Sequence, residues 1–238
     1  MDIETDQIDV VILCGGLGTR LREVVSDRPK PMAPIDDRPF LEILIAQFCR
    51  AGFRRFILCT GHLSESVRSH FSDRRLDLDV TISEETIPLG TAGAIKHAER
   101  LIISSPFLVA NGDSYCDVDL DAFCRFHNHQ RAILSMVLAR SKDTRDYGRI
   151  EVGEAGRITT FAEKSQGTRQ GLINAGIYLF EKSILRQIPA DRQMSLEHEI
   201  FPELVGERCF GYLGLSPVLD IGTPERYRRA STYFAAGA

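Results

Sequence analysis

The stretch VVILCGGLGTRLREVVSDRPKPM, Val10 to Met32, decides how the chain is read. It opens with a short apolar run of the kind that forms a strand. The run breaks into Gly15, Gly16 and Gly18, and a strand feeding such a turn presents backbone N–H groups with no side chain in the way of a polyphosphate. Arg20 and Arg22 follow, bringing planar guanidinium forks suited to pyrophosphate oxygens. Lys30 then stands between Pro29 and Pro31, whose fixed φ angles hold their neighbours extended and help aim the ammonium.

Two familiar phosphate loops do not fit. The P-loop needs GxxxxGK[ST], and Thr19-Arg20 stands where Lys-Ser/Thr is required; the dinucleotide fingerprint GxGxxG also has no match. That disfavours a dinucleotide-dependent oxidoreductase. The glycines alone would read as a tight strand-to-helix turn, but Thr-Arg-Leu-Arg and Pro-Lys-Pro at this spacing strengthen the phosphate reading.

Working outward, short apolar runs alternate with amphipathic stretches, the pattern of parallel strands joined by helices. Strands are expected at Asp9–Leu13, Arg55–Thr60, Asp79–Ser83, Phe107–Ala110, Ile133–Arg140, Arg149–Val152 and Leu172–Phe180. Helices are expected at Pro39–Ala51, His62–Phe71, Thr91–Leu101, Leu120–His129, Leu196–Leu204 and Pro224–Ala236. No repeat, low-complexity tract or linker interrupts them. The 238 residues are expected to form a single α/β domain of Rossmann-like architecture, in two halves of about 1–115 and about 116–238.

Composition excludes several classes. Hydrophobic residues make up 43% and charged residues 26%, as in a soluble globular protein. The net charge of -4 gives no electrostatic reason to expect nucleic acid or an anionic membrane, so a phosphate ligand must be held by local groups. The apolar runs fall short of the ~18 residues of a membrane span, and the first residues, MDIETDQ, are acidic. The six cysteines form no CxxC pair and no zinc-like spacing, and read as core residues of a reduced, cytoplasmic protein. Cys14 beside the glycine loop is read as packing, not as a nucleophile. His127 and His129 do not share a helix face and read as surface residues. Glu197-His198-Glu199 lacks the second histidine of HExxH and reads as the polar side of a helix.

The pattern GGxGTRLx(n)PKPM resembles that of the sugar-1-phosphate nucleotidyltransferases. Further segments resemble the family's in the same order: Leu89-Gly90-Thr91-Ala92-Gly93-Ala94, Asn111-Gly112-Asp113, Asp146-Tyr147-Gly148, Phe161-Ala162-Glu163-Lys164, Asn174-Ala175-Gly176-Ile177-Tyr178 and Leu219-Asp220-Ile221-Gly222-Thr223-Pro224. One departure is visible, Glu23-Val24-Val25 where many members have Pro-Leu-Thr. The resemblance implies a mixed, mostly parallel sheet flanked by helices. It implies an enzyme that couples a nucleoside triphosphate to a sugar 1-phosphate with release of pyrophosphate. The rival of another class is a nucleotide-sugar sensor, against which the joint presence of Arg20, Lys30, Asp113, Lys164 and Asp220 speaks. Only about fourteen residues follow Pro224, so no C-terminal left-handed β-helix is expected, and a homo-oligomer is left open.

Carried residue by residue, the resemblance implies that Leu13, Gly15, Gly16, Gly18 and Thr19 hold the nucleotide phosphates together with Arg20. Lys30 would bridge the α-phosphate, and Lys164 would grip the sugar phosphate. Glu163 and Asn174 would bond sugar hydroxyls, Gly176 would allow close approach of the backbone, and Tyr147-Gly148 would lie near the ligand. Asp113 and Asp220 would hold Mg²⁺; read alone, an Asp in a Gly-Asp turn is a turn former. Asp117, Asp119 and Asp121 read as a solvated loop and helix start. Gly90 and Thr91 would stand at the base, with Glu85 where uridylyl and thymidylyl members commonly carry glutamine. A carboxylate only accepts hydrogen bonds and guanine offers two adjacent donors, so Glu85 favours GTP, although Glu84 adjoins it and cytosine also carries a donor amine. Within the family, the loop together with Gly112-Asp113-Ser114-Tyr115 and Ser195-Leu196-Glu197 looks most like guanylyltransferases acting on D-glycero-α-D-manno-heptose 1-phosphate. Mannose 1-phosphate guanylyltransferases and uridylyltransferases share most of these motifs.

Overall fold

A computed structural model describes residues 4–16, 18–21, 23–72, 78–142, 144, 147, 149–162 and 170–236. In chain order the elements are β1 (Asp9–Leu13), β2 (Pro34–Ile35), β3 (Arg38–Pro39), α1 (Phe40–Arg50), β4 (Arg55–Thr60), α2 (Ser64–Ser72), β5 (Asp79–Glu84), α3 (Gly90–His97), β6 (Phe107–Asn111), β7 (Ser114–Tyr115) and α4 (Leu120–Gln130). They continue with β8 (Leu134–Ser141), β9 (Arg149–Val152), β10 (Ile158–Ala162), β11 (Gly171–Phe180), a π-helical turn (Leu196–Ile200), α5 (Phe201–Leu204), β12 (Cys209–Leu213), β13 (Leu219–Asp220) and α6 (Pro224–Ala235).

Nine of these strands form one sheet. The first half is a parallel unit in the order β5-β4-β1-β6, with Val10 to Leu13 opposite Phe56 to Cys59 on one side and Leu108 to Asn111 on the other. β11 lies antiparallel to β6, and beyond it come β8 and then β12, which is parallel to β8. The N-terminal end of β11 outruns β6 and pairs there with β9, which carries β10 at its edge.

The apolar strands are buried on both faces, as a parallel sheet between helices requires. Successive residues split between two cores: Val10 and Ile12 join the cluster under α1, while Val11 joins the one that includes Ala92 and Ile95 of α3. In α1, Phe40, Leu41, Leu44, Ile45 and Phe48 form the buried stripe. At the end of the sheet away from the glycines, Asp9 is fully buried, pairs with Arg55 at 2.8 Å and accepts from the N–H groups of Ile103 and Ser104. The opposite, C-terminal ends of β1, β4, β5 and β6 open onto a crevice, the usual ligand position in such sheets.

Most elements lie where the periodicity places them; β2, β3, β7, β10, β12 and β13 are additional, the helix expected to reach Leu101 ends at His97, and the one expected over Leu196–Leu204 divides into the π-helical turn and α5. His127 corrects an expectation. Its residue is 1% exposed and its Nδ1 lies 2.9 Å from Ser135 Oγ, whereas His129 is exposed. Asp119 caps α4 by accepting from Ala122 N, and Asp117 accepts from the hydroxyls of Tyr115 and Tyr233, so both acids have structural partners. All six cysteines are free, and five are buried. No β-helix occurs among the described residues, and no described helix is long and apolar enough to cross a membrane.

Candidate active site

Two clefts meet at the C-terminal end of the parallel strands. The first, about 320 Å³, is bounded by the end of β1 and the glycine turn (Leu13, Gly15, Gly16), by Lys30, by Glu85 after β5 and by Gly90 and Thr91 at the start of α3. The second, about 450 Å³, holds Arg20, Tyr147, Asn174, Gly176 and Asp220. Asn111 and Asp113 line both. Gly18 lies in neither; its φ of +59° folds the loop back so that a Cβ there would sit 3.5 Å from Lys30 Cβ. Thr19 begins a one-turn helix, Thr19–Leu21, beside it. Gly148, Glu163 and Lys164, expected near the sugar, fall outside the described residues, as do Arg22 and Asp146.

Lys30 is aimed across the junction. Its Nζ lies 2.8 Å from Asp113 Oδ2. Asp113 Oδ1 accepts from Ser114 Oγ. Asp220 reaches the same place from β13, which pairs antiparallel with β7 so that Asp220 faces Ser114 and Leu219 faces Tyr115. Asp220 Oδ1 accepts from Gly222 N at 2.9 Å, Oδ2 accepts from the Tyr147 hydroxyl, and Arg226 of α6 lies 3.3 Å away with its guanidinium 4.9 Å from the Tyr147 ring centroid. Arg20 stands on this side as well, Nη2 falling 3.9 Å from where a Gly222 Cβ would be. The sequence therefore brings Arg20, Lys30, Asp113 and Asp220 to one junction from four separate segments.

The chemistry of this donor set fits a hard divalent cation. Two carboxylates, Asp113 in the turn before β7 and Asp220 on β13, offer oxygen ligands and leave coordination positions for phosphate and water, as Mg²⁺ prefers. Among the described residues no third His, Cys, Asp or Glu joins them.

Glu85 and Glu84 have different surroundings. Glu84 is held outside the cleft, accepting from Ser64 Oγ and Arg68 Nη2 at 2.5 Å each. Glu85 lines the first cleft, and a Cβ at Gly15 or Gly61 would lie 3.0 Å from its Oε1, so both glycines make room for it. Its Oε2 accepts from Leu89 N at 3.3 Å, and partial burial raises its pKa above the ordinary carboxylate value. Cys14, also in this wall, is buried; burial first, then the neighbouring Cys59 and Asp113, holds its thiol pKa well above the usual range, so no thiolate is available there.

Asn174 sits at a bulge where β11 runs two residues longer than its partner β8, between the pairs Asn174–Leu138 and Tyr178–Met136. Its Oδ1 accepts from Gly176 N at 2.8 Å and its Nδ2 donates to the Tyr178 hydroxyl at 2.7 Å. Gly176 has φ +78°, and a Cβ there would lie 2.9 Å from Asn111 Nδ2. The bulge thus presses the β11 backbone against Asn111 at the floor of the second cleft.

Gly90 has a packing role in addition to its place in the cleft. A Cβ there would lie 2.4 Å from Met194 O, and the turn is stitched to the segment beyond by Ala92 N to Met194 O and Met194 N to Leu89 O. Asn111, Glu197 and Arg226 line the second cleft although the sequence reading assigned them no role in the site. Asn111 and Glu197 stand within segments that resemble the family's, and Arg226 lies two residues beyond Thr223-Pro224.

The residue pattern and the fold have the same relatives. The family model described as Nucleotidyl transferase matches residues 9–236. The chain belongs to the nucleotidyl transferase family. It is 35% identical over 224 residues to a D-glycero-alpha-D-manno-heptose 1-phosphate guanylyltransferase of Aneurinibacillus thermoaerophilus, covering 94% of this chain and 96% of that one. It is also 35% identical over 237 residues to a mannose-1-phosphate guanylyltransferase of Mycobacterium tuberculosis, covering 98% of this chain but 66% of that longer relative. Among solved structures, HddC from Yersinia pseudotuberculosis superposes with a TM-score of 0.84 at 34% identity, covering 95% of this chain and 99% of HddC. HddC has also been solved in complex with GMP-PN.

Proposed function

We propose that this chain transfers a guanylyl group from GTP to D-glycero-α-D-manno-heptose 1-phosphate in a Mg²⁺-dependent reaction, releasing pyrophosphate and giving the GDP-sugar. The observation that carries the reading is the junction at Asp113, where a glycine-walled cleft and a second cleft share Asn111 and Asp113 and where Lys30, in the wall of the first cleft, pairs with Asp113. On this reading residues to about 115 supply most of the nucleotide site and the remainder most of the sugar site, with Arg20, Asn111, Asp113 and Ser114 crossing over.

The first cleft takes the nucleoside triphosphate and the second the sugar phosphate. A phosphate monoester has a second pKa of about 6 and is already largely dianionic near neutrality, so no side chain need take a proton from the attacking oxygen. Two anions must instead be brought together against their repulsion. Lys30 supplies a positive charge at the α-phosphate and Arg20 another on the Asp220 side, and the work is positioning and electrostatics. Asp113 and Asp220 would hold the metal ion, whose charge when bound offsets that of the phosphates. Lys164 and Glu163 are assigned to the sugar phosphate and a sugar hydroxyl by resemblance.

Glu85 supports the choice of base. Guanine presents N1–H and an amino group side by side, and a carboxylate in the first cleft can accept from both, while uracil would set a carbonyl oxygen against it. The heptose is supported by the relative matched at 35% identity over nearly its whole length, and mannose 1-phosphate by the equally identical mycobacterial relative. The deciding experiment measures Mg²⁺-dependent pyrophosphate release over a grid of GTP, CTP, UTP, dTTP and ATP against heptose, mannose, glucose and amino-sugar 1-phosphates. A maximum at GTP with the manno-heptose is the expected result. A maximum at mannose would replace the sugar, one at another base would remove the Glu85 argument, and a blank grid would favour a nucleotide-sugar sensor.

A further inference from the structure

From the second cleft we infer that Glu197 is a specificity-determining carboxylate that accepts hydrogen bonds from hydroxyl groups of the sugar 1-phosphate, held in place from the nucleotide side by Thr91. The inference rests on the proposed reaction and names a residue for its sugar site.

Three observations support it. Glu197 lines the second cleft together with Asn174 and Gly176. Its Oε2 accepts from Thr91 Oγ1 at 2.9 Å and from Ser195 Oγ at 2.8 Å. Among the described residues both of these bonds fall on that one oxygen, so Oε1 keeps its lone pairs for a ligand. A carboxylate fixed through one oxygen is an acceptor set in advance for a hydroxyl donor, and little side-chain entropy remains to be lost when the ligand arrives.

The backbone gives Glu197 this position. Residues 196–200 form a π-helical turn in which Ile200 N and Phe201 N reach back five residues to Ser195 O and Leu196 O. Such turns carry an extra residue per turn, which changes the direction of the side chains, and they recur at functional sites. The turn is fixed at its start by Ser195, whose hydroxyl accepts from Glu197 N and His198 N and whose own N–H donates to Glu199 Oε2. Thr91 closes the arrangement: its hydroxyl donates to Glu197 and accepts from Leu196 N at 2.8 Å. Because Thr91 also lines the first cleft, the orientation of the carboxylate is tied directly to the wall of the nucleotide site.

The test compares wild type with Glu197→Gln, a variant of the same shape that keeps a carbonyl oxygen for Thr91 and Ser195. The readouts are KM for the sugar 1-phosphate, the GTP dissociation constant by calorimetry without sugar, and the melting temperature. The expected result is a rise in sugar KM of about tenfold or more, as for loss of one charge-assisted hydrogen bond, with GTP affinity and melting temperature unchanged. A series of monodeoxy sugar 1-phosphates gives a second signature: wild type should discriminate strongly against one of them, and Glu197→Gln should not. Glu197→Asp, which retains the charge but shortens the reach, should fall between the two. An unchanged sugar KM in Glu197→Gln, or equal losses in GTP and sugar affinity with a lowered melting temperature, would overturn the inference while leaving the reaction in place. Wild-type protein inactive with every sugar phosphate would instead overturn the reaction, and the role of Glu197 with it.

Discussion

Asp113 and Asp220 are fixed relative to one another by backbone bonds: Asp220 faces Ser114 across a two-residue antiparallel ladder, and Ile221 N donates to Asp113 O at 3.0 Å. Each carboxylate also has a cationic neighbour, Lys30 for Asp113 and Arg226 for Asp220. On the proposed reading, removing either acid takes a ligand from the metal, and it removes the carboxylate that pairs with Lys30 or Arg226 but leaves the ladder intact. Asp113→Ala and Asp220→Ala are each expected to lower kcat by at least about 10²–10³-fold, with circular dichroism unchanged. Near-normal Mg²⁺-dependent turnover in either folded variant would remove that residue from the metal site.

Lys30 makes a separable prediction, because the role proposed for it is charge at the α-phosphate and not metal binding. Lys30→Met keeps most of the stem and removes the ammonium. It should lower kcat by about 10²-fold or more, while Mn²⁺ bound with GTP, followed by electron paramagnetic resonance, remains. Loss of Mn²⁺ binding would show that the Lys30–Asp113 pair organises the metal site and does not act on the phosphate directly.

If Glu85 reads the base as proposed, it links base choice to pH. Partial burial raises its pKa, so its carboxylate becomes protonated at a higher pH than an exposed glutamate, and the protonated form loses acceptor capacity toward guanine. GTP affinity in wild type should therefore fall as pH is lowered toward that raised value, and Glu85→Gln should lose both this pH dependence and the preference over UTP. Stability moves the other way. The cost of burying the charge is present above the folded-state pKa and disappears as pH falls below the unfolded value, so Glu85→Gln should melt slightly higher than wild type at neutral pH and no higher in acid. A lower melting temperature at pH 7 would mean that the bond to Leu89 N outweighs the burial cost.

Much of this architecture was legible because strand and helix impose different periods. The apolar run at β1 and the stripe of α1 could be read directly, and so could the glycine turn that follows β1. His127, expected at the surface, is buried, and the spacing carries the signal that this expectation passed over: Leu120, Phe123, Cys124 and His127 share the buried face of α4, which outranks the polarity of one ring. β12 was hidden because Gly211 interrupts it; a Cβ there would meet Leu138 Cδ1 at 2.3 Å, a packing demand that only the folded sheet imposes. Glu197 was hidden for another reason. Counted at 3.6 residues per turn it falls on the polar side of a helix, whereas the π-helical turn brings it to the cleft. The opposing surroundings of Glu84 and Glu85 depend on Arg68 and Ser64, which no local pattern connects to them.

Gly90 carries the last prediction, since it joins stability to the nucleotide cleft. Its φ of +70° disfavours any side chain, and a Cβ would lie 2.4 Å from Met194 O, a backbone atom that cannot rotate away. The neighbouring segment is held by reciprocal bonds between Leu89 and Met194 and continues into the turn that carries Glu197. Gly90→Ala must therefore push that segment outward or strain the start of α3, at a cost of about 2–4 kcal/mol. Chemical denaturation should show this loss with an unchanged slope. In the fraction that stays folded, displacement of Met194 should disturb both clefts, raising KM for GTP and for the sugar phosphate together. A Gly90→Ala protein with wild-type stability would show that the 192–197 segment yields easily, and Thr91 would then be too loosely placed to orient Glu197.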